Sequence, residues 1–147
     1  TTVCDSCPAH TRSDAGGNEL TDCTCVAGYT GADGTECAAC CPNFSSSPSG
    51  SDAATDCICV SGYQGAAGGP CTLCPVDHYC ASGSLSVCPT HALSTSGSNE
   101  VTDCSCKGGY YGEDGGACAK CSSNKFCVGG NSVASCPTNS LSPMGSD

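Results

Sequence analysis

The chain has 147 residues, with 19 Cys, 20 Gly and no Trp, and its 4 Lys or Arg stand against 14 Asp or Glu for a net charge of −10. Leu, Ile, Val, Phe and Met together make up under an eighth of it, too little apolar bulk for the single hydrophobic core of an ordinary enzyme domain. Acidity without a basic patch excludes a nucleic-acid partner and an anionic membrane surface, and the thiol content points to a cross-linked scaffold of an oxidising compartment, secreted or at the cell surface.

The cysteines form a repeat. A short unit is expected over residues 1–39, a second short unit over 40–73, a long unit over 74–120 and an incomplete one over 121–147. Cys7, Cys23, Cys25, Cys37 and Cys40 recur 34 residues later as Cys41, Cys57, Cys59, Cys71 and Cys74. These recur 47 residues further on as Cys88, Cys104, Cys106, Cys118 and Cys121, and Cys80 returns as Cys127. Other residues keep the register. Thr21-Asp22, Thr55-Asp56 and Thr102-Asp103 each precede a C-x-C, and Gly28-Tyr29, Gly62-Tyr63 and Gly109-Tyr110 follow it. Gly16, Gly50, Gly97 and Gly145 mark one turn in four copies.

No stretch carries helical apolar periodicity. Short strands are expected over Leu20–Val26, Thr55–Val60 and Val101–Ser105, each running into a Gly-rich turn. The units are joined by two residues (Ala38-Ala39, Thr72-Leu73, Ala119-Lys120) or by none. The fold class expected is therefore small and disulfide-rich, with short two-stranded β-ribbons and loops stacked into an elongated rod. No apolar run is long enough to span a membrane.

The long unit reads C-x5-C-x7-C-x15-C-x-C-x11-C. This resembles the EGF-like six-cysteine pattern, and CTCVAGYTGADGTEC, CICVSGYQGAAGGPC and CSCKGGYYGEDGGAC resemble its C-terminal half. The segment CPTHALSTSGSNEVTDCSCKGGYYG also resembles the cysteine-rich repeats of ephrin-type receptors. The resemblance implies the pairs Cys74–Cys88, Cys80–Cys104 and Cys106–Cys118. In the short units it implies Cys25–Cys37 and Cys59–Cys71 as final bridges, with Cys7–Cys23 and Cys41–Cys57 closing the preceding hairpins. By the same token Cys121 would pair with Cys136. Cys4 and Cys40 have no assigned partner.

Sites are few. The C-x2-C pairs Cys4/Cys7, Cys37/Cys40, Cys71/Cys74 and Cys118/Cys121 have the spacing of zinc ligands, but the later three straddle unit boundaries in a disulfide-type repeat, so no metal is expected. The residues before Cys74 and Cys121 lack the oxygen side chains of a calcium site. Asp22, Asp56 and Asp103 are expected to cap turns beside the C-x-C. His10, His78 and His91 read as surface or turn histidines, and the resemblance implies that Tyr29, Tyr63 and Tyr110 pack on a bridge or a neighbouring unit. Asn43-Phe44-Ser45 is the one N-glycosylation sequon, in a Ser/Pro-rich loop that is also suited to O-glycans. No constellation suggests an enzyme or a cofactor.

The function expected is that of a structural protomer of a secreted or cell-surface glycosylated filament. Such arrays resemble those of protist and algal surface fibres, including flagellar hairs (mastigonemes). The alternative is a stalk or ligand-binding ectodomain of a receptor or adhesion protein. With an odd cysteine count, at least one sulfur is free or bonded outside the chain. Cys127, left over by the implied pairing, and Cys4 are the expected inter-subunit pair of a head-to-tail fibre whose partner is a further copy of itself.

Overall fold

The computed structural model describes residues 6–40 and 43–147. Cys4 and Cys41 lie outside them. The chain forms two compact units, Thr1–Val60 with Gly65–Thr72, and Ser61–Gln64 with Leu73–Asp147. Their described residues hold eight two-stranded antiparallel sheets and three short 3-10 turns and no α-helix. The fold is a small disulfide-rich array of β-ribbons.

Each copy opens on a tight turn directly after a cysteine. Its third residue, His10, Phe44, His91 or Asn139, has positive φ. The chain then runs into a two-residue strand that pairs with the C-x-C strand: Thr11 opposite Cys25, Ser45 opposite Cys59, Ala92 opposite Cys106. Because side chains alternate along a strand, both cysteines of a C-x-C point to one side and the residue between them to the other. Cys23 and Cys25, Cys57 and Cys59, and Cys104 and Cys106 are accordingly buried, while Ile58 is exposed. Each C-x-C strand is thereby stapled backward by its first sulfur and forward by its second.

The strands expected at Leu20–Val26, Thr55–Val60 and Val101–Ser105 are shorter than the sequence suggests. Leu20–Asp22, Ala54–Asp56 and Val101–Asp103 form 3-10 turns, and only Thr24–Cys25, Ile58–Cys59 and Ser105–Cys106 are strand. The physical reason is the aspartate. Asp22 Oδ2 accepts the Asn18 and Glu19 amides at 2.8 and 3.0 Å. Asp56 Oδ2 accepts those of Asp52 and Ala53 at 3.1 and 3.0 Å, and Asp103 Oδ2 those of Asn99 and Glu100 at 2.7 and 3.2 Å. Such local side-chain bonds favour a turn over a ladder.

Among the described residues, eight disulfides join Cys7–Cys23, Cys25–Cys37, Cys40–Cys57, Cys59–Cys71, Cys74–Cys80, Cys88–Cys104, Cys106–Cys118 and Cys121–Cys127. No two interlace. This corrects the implied pairs Cys74–Cys88 and Cys80–Cys104. Residues 75–87 fold as their own hairpin, His78–Ala81 against Ser84–Val87. That hairpin brings Cys80 back to Cys74, with Cα atoms 5.7 Å apart, and leaves Cys88 to meet Cys104 as Cys7 meets Cys23. The same hairpin recurs at Lys125–Gly129 and Ser132–Ser135. Cys121 therefore bonds Cys127 rather than Cys136, and Cys136 is a free, half-buried thiol. Cys57 bonds Cys40, not Cys41. The amide of Cys40 donates to the Gly28 carbonyl at 2.8 Å, which holds its Cα 5.8 Å from that of Cys57.

The core is made of sulfur. The most deeply buried side chains are Cys25, Cys57, Cys59, Cys74, Cys80, Cys104, Cys121 and Cys127, with Ala92 and Ser47, Ser51 and Ser98 also buried. Val87, Val128 and Leu141 stand in solvent.

Candidate interaction site

Among the expected site residues, the structure brings the described cysteines together in pairs and leaves Cys136 unpaired. Its Sγ lies 3.1 Å from Ser142 Oγ. Cys127, expected to reach a second subunit, is fully buried in its bond to Cys121 and takes no part in one. The described members of the C-x2-C pairs are all in disulfides and hold no thiolate for a metal. Asn43 is exposed, in a turn with φ +42°. His78 Nδ1 sits 2.8 Å from the Val76 carbonyl oxygen.

The aspartates cap turns, and one of them carries an electrostatic signature. The Glu19 and Asn18 amides hold the Asp22 carboxyl below its ordinary value of 3.8. A depressed folded value means that the cap is fully present above the ordinary value and is lost as pH falls through the lowered one. Acid titration followed by amide NMR is expected to move the Asn18 and Glu19 resonances with a midpoint below 3.8, and Asp22→Asn is expected to abolish that transition. A midpoint at or above the ordinary value would contradict the cap.

His10 and His91 stand in turns as expected, and two further features recur with the repeat. His10 stacks on Tyr29 with centroids 4.0 Å apart and planes 9° from parallel, and His91 stacks on Tyr110 at 4.0 Å and 18°. Lys107 Nζ lies 5.5 Å from the Tyr110 ring centre. The half-buried tyrosines thus pack on a ring of their own copy. The clue was present: each of these histidines stands three residues after its copy's cysteine. The second feature is a serine that recurs six residues after that cysteine. Ser47 Oγ donates to Tyr29 O at 3.0 Å, Ser94 Oγ to His78 O at 2.6 Å, and Ser142 Oγ to Lys125 O at 2.8 Å. Each ties its loop to the segment that precedes its copy.

Backbone bonds reinforce the stacking of copies inside a unit. Gly28 N donates to Ser47 O, Gly62 N to Cys80 O and Gly109 N to Cys127 O, at 2.8–3.0 Å. All three glycines have positive φ. In the first unit a concavity of about 540 Å³ opens beside Arg12, Asp14, Gly17 and Asp22. No group of His, Cys, Asp or Glu suited to a metal ion occurs among the described residues, and none of their helices is long and apolar enough to cross a membrane.

No protein-family model, curated protein or solved structure matches this chain.

Proposed function

We propose that the chain is a structural protein of a secreted or cell-surface fibre, built from cysteine-rich repeats of EGF-like and ephrin-receptor-like spacing and joined to further copies of itself. The eight disulfides fit an oxidising, extracellular setting. The reading is supported above all by Cys136. Cys7 and Cys88, which open the first and third copies, and Cys40, next to the opening of the second, each bond the first cysteine of a C-x-C strand, whereas Cys136, which opens the fourth, keeps its thiol. Cys136 thus replaces Cys127 as the sulfur through which copies join, with Cys4 of the next copy as its partner. Such a contact is heterologous and extends rather than closes. Asn43, exposed in its sequon, carries an N-glycan in this reading.

One experiment tests both parts. Electrophoresis of the protein from a secretory host is expected to give a ladder without reductant and a single band with it. Cys136→Ser collapses the ladder, and an N-glycan-specific glycosidase lowers every rung. A lone unreduced band of bare-chain mass overturns the fibre and the glycan together. Monodisperse glycosylated monomers overturn the fibre alone and favour a stalk.

A further inference from the structure

The first copy departs from the repeat at three positions that line one concavity. Arg12 stands where the second and third copies hold Ser46 and Leu93. Asp14 stands where the others hold Pro48, Thr95 and Pro143. Gly17 stands where Ser51, Ser98 and Ser146 fold their hydroxyls back onto the carbonyl three residues earlier. The scaffold does not need Arg12 or Asp14, whereas a Cβ on Gly17 would approach the Ser13 and Asp22 β-carbons to 3.1 and 3.3 Å. The bridge Cys7–Cys23, the Asp22 cap and the positive φ of Gly16 have their counterparts in the third copy at Cys88–Cys104, Asp103 and Gly97.

The depression they line has a defined chemistry. Arg12 is the only Lys or Arg in the first 106 residues. Among the described residues, neither its guanidinium nor the Asp14 carboxylate makes a hydrogen bond or ion pair. Asn18, Thr21, Asp22, Thr24 and Ser49 also line it, and no aliphatic or aromatic residue joins them. Beside Gly16 the space is open, since a Cβ there would meet nothing within 4 Å. Asp22 holds the loop in place by accepting its Asn18 and Glu19 amides.

We infer that this concavity binds a neutral, hydroxyl-rich saccharide, with Arg12 donating to and Asp14 accepting from adjacent sugar hydroxyls. An apolar ligand finds no apolar wall. A simple anion meets Asp14 and Asp22, and a simple cation meets Arg12. A hydroxyl both donates and accepts, so a polyol uses both signs at once. The site is independent of the fibre reading and stands or falls without it. Its openness and few contacts set the affinity in the millimolar range.

The test is ¹H–¹⁵N NMR titration of the oxidised full chain with mannose, galactose and N-acetylglucosamine separately, and with glucuronate and acetate as anionic controls. At least one neutral sugar is expected to shift the Gly16, Gly17 and Asn18 amides and the Arg12 Nε–H with millimolar half-saturation. The shifts should vanish when third-copy residues are installed as Arg12→Leu, Asp14→Thr and Gly17→Ser. A second variant, Arg12→Leu alone, changes one exposed side chain and is expected to weaken binding at least tenfold while the remaining spectrum stays in place. No shift with any neutral sugar, shifts with the anions only, or shifts undiminished in Arg12→Leu would each overturn the proposal.

Discussion

Reduction of the disulfides is expected to unfold this protein in plain buffer at room temperature, without denaturant. The largest buried side chains are cysteines, and the exposed Leu141, Val87 and Val128 show that the aliphatic residues contribute little to the interior. Six of the eight bridges among the described residues span separations of 12 to 17 residues, and the other two, Cys74–Cys80 and Cys121–Cys127, span 6. A bridge closing a loop of about 15 residues stabilises by about 3 kcal/mol in the chain-entropy model. Removing all of them exceeds the ordinary stability margin of about 5–15 kcal/mol. The reduced and alkylated chain should lose its dispersed amide spectrum throughout. A reduced chain with native dispersion would show that the hydrogen-bonded turns suffice on their own.

The second large effect is expected at Gly109. Its φ is +78°, its amide donates to Cys127 O at 2.8 Å, and its carbonyl accepts the Cys121 amide at 2.9 Å. A Cβ there would lie 2.5 Å from the Gly145 carbonyl oxygen, so Gly109→Ala meets backbone that cannot step aside. Gly28 provides the control. It occupies the same place in the first copy with φ +87°, but a Cβ there meets nothing within 4 Å. Gly28→Ala should cost only the left-handed backbone penalty, about 1–2 kcal/mol. Gly109→Ala should cost more, on the order of 3 kcal/mol. Native-state hydrogen exchange at the Cys121 and Cys127 amides reads the second and exchange at Cys40 the first. Equal losses at the two sites would remove the close approach from the explanation.

Much of this architecture was legible because it is local. The Thr-Asp before each C-x-C announced a capped turn, and Asp22, Asp56 and Asp103 each accept two amides from the residues just before them. The Gly-Tyr pairs announced turns, and their glycines have positive φ. The strand lengths were overestimated because the same aspartates draw the preceding residues into 3-10 turns, a competition that strand propensity does not register. The candidate site was less legible. Arg12, Asp14 and Gly17 look like ordinary variation in a loop until the fold places them around one depression with Ser49, which lies in the next copy.

The sequence by itself determined the repeat, the oxidising setting that so many thiols require, and the local turns, because each depends on residue types at short fixed offsets. Only the tertiary structure decided which sulfurs meet. Six cysteines permit 15 pairings, and their spacing does not choose among them. Proximity does: the hairpin His78–Ala81 with Ser84–Val87 returns Cys80 to Cys74, and the strand Ala92–Leu93 lays Cys88 beside Cys104. The same geometry buries Cys127 against Cys121 and leaves the thiol on Cys136. A disulfide forms where backbone hydrogen bonds bring two Cα atoms to about 5.5–6 Å, and that distance is set by the folding of the intervening chain.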